Sequence, residues 1–145
     1  MTRAILVAVV LVATACASFV DETERSVTGV ITGPGRLGLV HLQPGDCIRD
    51  QLADEVDALV GVPCNRGHRA QVVSIGTAEE FELDDPAAID QLCTLPVEEI
   101  GRQLLARDDL PQIDVALLYA EDGSRVACIL EFAEPITEDL VRRPA

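Results

Sequence analysis

A chain of 145 residues that is 48% apolar is sized for one globular domain, which excludes two full domains and a disordered polypeptide. Eleven arginines, no lysine and 25 acidic residues leave a formal charge of −14, which excludes a phosphate-neutralising nucleic-acid surface and a polybasic docking face. Three Phe, one Tyr and no Trp mean a small core of Val, Leu, Ile and Ala, the kind of core that cross-links commonly support.

The first residues, "MTRAILVAVVLVATACASF", place Arg3 before an apolar run at 4–13 and then "ATAC" at 13–16. This resembles a bacterial lipoprotein signal, with small residues preceding a cysteine that is lipidated and becomes the mature N-terminus. The apolar run is short for a span that needs ~20 residues. The resemblance implies a signal peptide over 1–15, lipidation at Cys16, and membrane anchoring at the outer face of the cytoplasmic membrane. Several acyl chains give stable anchoring where one is marginal. Residues 16–26 are then expected to be the lipidated terminus and a polar tether, 27–135 the domain, and 136–145 a loose tail.

Along the domain, "VTGVI" and "LGLVHL" have strand character on either side of the breaker "TGPGR". "PGDC" marks a turn before a short strand at Cys47, and "ALVGVPC" is a further strand. After the turn "NRG", "RAQVVSIG" is another, so these last two are expected to form a hairpin flanking His68. Asp85 and Pro86 suit the N-cap and first position of a helix whose apolar residues include Leu92, Leu95, Ile100, Leu104 and Leu105. Pro96 interrupts that helix or starts a second one. Asp122-Gly123 between two apolar runs signals a hairpin, and Val126, Cys128, Leu130 and Phe132 share one face of its second arm. Strands, then helix, then hairpin predict an α+β domain with a small, mostly antiparallel sheet and one or two helices packed on it.

Beyond Cys16, four cysteines remain: Cys47, Cys64, Cys93 and Cys128. An even number in an exported chain reads as two disulfides. Three pairings are open; locality favours Cys47 with Cys64 and Cys93 with Cys128. The alternative use of Cys47, Cys64, His68 and His41 as zinc ligands lacks the tight Cys-x2–4-Cys knuckle. No Cys-x-x-Cys redox pair and no calcium loop is present. The sequence therefore predicts no metal, no cofactor and no catalytic residue. His68 and Asp46 are the His-plus-acid pair that would carry a structural or a ligand role.

"GDC" at 45–47, "VPC" at 62–64, His68, then Cys93 on a helix and Cys128 on a strand resemble the septum-formation family of exported bacterial domains. The resemblance covers roughly residues 39–132. Where that family often has Pro-His-Asp-Ala-Glu, this chain has Gly67-His68-Arg69-Ala70-Gln71. It implies an envelope location and a link to cell division. The expected function is a lipid-anchored, non-enzymatic binding or scaffold module with an envelope or division protein as partner. The competing expectation is a small extracytoplasmic enzyme or ligand carrier with its site near His68 and Asp46.

Overall fold

A computed structural model describes residues 22–52, 59–80, 82, 85–104 and 107–141. What was expected of the signal peptide and of Cys16 lies outside these residues. Six strands form one sheet: β1 (Gly35–Leu37), β2 (Cys47–Ile48), β3 (Leu59–Val62), β4 (His68–Thr77), β5 (Ile113–Tyr119) and β6 (Arg125–Ile136). Their order is β1-β3-β2-β4-β6-β5, and every neighbouring pair is antiparallel. One helix, α1 (Pro86–Leu104), connects β4 to β5. The fold is α+β, as the pattern of strands, helix and hairpin requires.

The long central strands β4 and β6 are covered on both faces. In β6 five consecutive residues, Val126 to Leu130, are buried, and a strand buried on both faces reads as an unbroken apolar run rather than an alternation. One face packs Ala70, Val72, Ala127 and Ile129 against Ile31, Leu37 and Leu42 from the N-terminal segment. The other packs Val73, Cys128, Leu130 and Phe132 against Cys93 of α1 and against Leu140 and Val141. Gly61 lets the N-terminal segment lie close on β3: a Cβ there would sit 2.8 Å from the Ile31 side chain.

Several expectations are corrected. β3 and β4 do not form a hairpin, because β2 lies between them and pairs with both. Neither strand predicted upstream forms where it was expected: Gly29 turns the chain at φ 77° within 27–31, Leu39–His41 coils into a 3-10 turn, and the strand that does form, β1, falls mostly on the expected breaker, at Gly35 and Arg36. Residues 22–26 are not a free tether: the Thr23 N–H donates to the Arg36 carbonyl and Arg25 reaches into the domain. Nor is 136–145 loose throughout, because Ile136, Leu140 and Val141 are buried.

The helix is single. Asp85 caps it, accepting from the Ala87 N–H at 3.0 Å, with Pro86 following. Pro96 lies inside it and offers no N–H to the carbonyl of Leu92 one turn earlier. The Ser74 hydroxyl of β4 donates to that carbonyl at 2.6 Å. The sheet thus satisfies the acceptor that the proline leaves open, and the helix continues through it.

The hairpin between β5 and β6 forms as expected. Gly123 takes φ 69°, and Asp122 accepts from both the N–H and the hydroxyl of Ser124.

Candidate functional site

The segment "PGDC" makes a turn in which Gly45 adopts φ 86°, a conformation that favours glycine. The Gly45 N–H donates to the Val72 carbonyl and the Val72 N–H to the Asp46 carbonyl, so the turn is pinned to β4. Asp46 is fully buried. Its carboxylate takes both arms of the Arg25 guanidinium, at 2.7 and 2.6 Å, and the Gln43 N–H at 2.8 Å. Arg25 also donates to the carbonyls of Gly29 and His41. This fork geometry is the strong form of an ion pair, and it fastens the N-terminal segment to the start of β2.

Cys47 is joined to Cys64 and Cys93 to Cys128, with Cα atoms 5.3 and 5.5 Å apart. The local pairing is the one present. It ties β2 to the turn after β3, and α1 to β6. With Cys47 and Cys64 joined, neither sulfur is a thiolate, so neither can act as a nucleophile or a zinc ligand. No group of three or more potential metal ligands occurs among the described residues.

His68 is also fully buried. Its Nδ1–H donates to the Arg66 carbonyl at 3.0 Å, and its ring meets Phe132 edge to face, with centroids 5.8 Å apart. Nε2 has no hydrogen-bond partner among the described residues. Burial holds the imidazole below its ordinary pKa of 6.5; the Arg66 hydrogen bond and the charge of Asp139 oppose this. A proton on Nε2 would be a buried, unpaired donor.

Gln71 completes the buried polar set. Its amide donates to Asp139 at 2.6 Å and accepts from the Leu140 N–H at 3.0 Å, which holds the C-terminal segment against β4.

The two residues singled out in the sequence therefore have separate duties. Asp46 is engaged by Arg25 and Gln43, and His68 is enclosed by Arg66 and Phe132. Three participants escaped the sequence reading: Arg25, Gln71 and Asp139. Arg25 is the only basic residue between 17 and 35, an isolated charge in an acidic stretch, and that was the available signal. Nothing local marks Gln71 and Asp139, which meet across 68 positions.

A cleft of about 820 Å³ opens beside the Arg25–Asp46 pair, between the N-terminal segment, the Leu39–His41 turn and the start of β6. Arg25, Arg36, Arg125 and His41 line it, together with Glu22. No family model, curated protein or solved structure gives a significant match to this chain.

Proposed function

We propose that this protein is a lipid-anchored, extracytoplasmic binding or scaffold module of the cell envelope, linked to septum formation, and that it is not an enzyme. The observation that carries the non-catalytic reading is the enclosure of His68. A general base must reach a substrate proton through a concave site, whereas this imidazole is fully buried, packed against Phe132 with Nδ1 bonded to the Arg66 carbonyl. Two disulfides fit an oxidising compartment. The "ATAC" sequence supports anchoring through Cys16, and the order Gly-Asp-Cys, Pro-Cys-x3-His, Cys, Cys supports the septation link.

Two measurements test this. Metabolic labelling should place lipid on the wild-type chain, and Cys16→Ala should abolish the label and release the protein from membranes; retention of an unlabelled wild type would overturn the anchor. Crosslinking of the native protein in dividing cells should recover an envelope or division protein. Recovery of no such partner, with unaltered septum placement in a deletion strain, would remove the septation link.

A further inference from the structure

We infer that the cleft lined by Arg25, Arg36, Arg125 and His41 is a binding site for an anionic group of the phosphate or phosphodiester class. The molecule as a whole carries −14, which disfavours anion binding in general. In this cleft basic side chains outnumber acidic ones among the lining residues. The charge of Arg25 is cancelled by Asp46. Those of Arg36 and Arg125 are not: the Arg36 side chain has no hydrogen-bond or ion-pair partner among the described residues, and Arg125 spends its terminal nitrogens on the carbonyls of Val40 and Leu42. Carbonyl partners hold a guanidinium in place without neutralising it, so the charge is positioned in advance of a ligand. The Arg125 Nε–H is buried and unpartnered among the described residues. Glu22 is the acidic group on the wall, leaving a net positive lining from Arg36 and Arg125 against it.

Guanidinium groups bind phosphate oxygens through paired N–H donors, and the cleft is large enough for such a headgroup. Two sources could supply that chemistry: a soluble phosphate compound, or a phospholipid headgroup. The second draws on the anchor proposed above, since residues 16–22 extended reach at most ~20 Å, which would hold the cleft near the bilayer surface. The binding site itself does not depend on the anchor.

The test uses the full, oxidised chain in phosphate-free non-ionic detergent micelles, read by hydrogen exchange of the amides at 36–43. Inorganic phosphate is added at constant ionic strength against chloride; in a second arm phosphatidylglycerol is added to the micelles. Saturable protection by phosphate, or protection by phosphatidylglycerol, is expected, and the arm that protects more strongly identifies the source. Arg36→Gln should raise the half-saturating phosphate concentration about tenfold, the loss of roughly one charge-assisted contact. Arg102→Gln, on α1 and far along the chain, should leave it unchanged. Arg125→Gln risks the fold through Val40 and Leu42, so the exposed Arg36 is the deciding variant. No protection in either arm, or protection that Arg36→Gln leaves intact, would overturn the inference.

Discussion

Burial disfavours the protonated form of His68 in the folded chain, and this has a definite pH signature. Its folded pKa lies below the unfolded value of 6.5, so the unfolded chain binds the proton first. The contribution of the neutral ring is complete above 6.5 and declines as pH falls from there toward the lower folded value. Thermal melts between about pH 5 and 7.5 should show this slope, and His68→Ala should flatten it. At neutral pH the same substitution should cost about 2–3 kcal/mol, through the cavity beside Phe132 and the unpaired Arg66 carbonyl. An unshifted melt together with lost partner binding would mean that His68 works in recognition and not in folding. Gln71 gives a second test. Its amide is the group that can donate to Asp139; a glutamate there would bring two carboxylates together and raise one pKa. Gln71→Glu should destabilise by about 1–3 kcal/mol at neutral pH. A raised carboxyl pKa leaves stability intact below the unfolded value of about 4.3, and stability is lost as pH rises through the folded one. A pH-independent deficit in urea titrations would contradict this account.

At the scale of the element, α1 survives its internal proline because the sheet supplies a donor. Removing that donor by Ser74→Ala should cost about 1–2 kcal/mol, since the Leu92 carbonyl is left unpaired in a half-buried place. A double-mutant cycle with Pro96→Ala isolates the effect. Alanine at 96 restores the N–H one turn on, so Ser74→Ala should be milder in that background; equal penalties in both would show that the hydroxyl is not covering for the proline. The cap and hairpin were legible because they are local. Asp85-Pro86 and Asp122-Gly123 settle their backbone within a few residues, whatever surrounds them. The position of β2 between β3 and β4 was not legible. A two-residue strand has too little period to reveal its partners, and its place is set by long-range pairing with β3 and β4, by the disulfide and by the Asp46 turn.

For the whole molecule, the segments at either end of the described chain are part of the core. Each covers one face of the central pair β4 and β6, the first through Ile31, Leu37 and Leu42 and the second through Leu140 and Val141. Deleting residues 139–145 should therefore lower stability by about 3 kcal/mol, from two lost apolar side chains and an unpaired Gln71. Denaturant unfolding measures this directly, and a midpoint equal to that of the full chain would show the tail to be dispensable. Arg107, which pairs with both Asp109 and Glu138, adds an exposed link to the same segment, of the sort that contributes little by itself.

Composition, turn chemistry and cysteine count by themselves determined the α+β class, the Asp-Gly hairpin, the capped helix and the presence of two disulfides, with locality favouring the pairing that the structure then shows. Each of these rests on interactions between residues close in sequence, or on an even number of thiols. Only the tertiary structure decided that Asp46 answers Arg25 and not His68, that Gln71 reaches Asp139, and that three arginines gather around one cleft. Those outcomes depend on which strands lie side by side and on segments folding back over the sheet. No local spacing encodes such a meeting, because the free energy that selects it, the burial of both faces of β4 and β6, belongs to the assembled core.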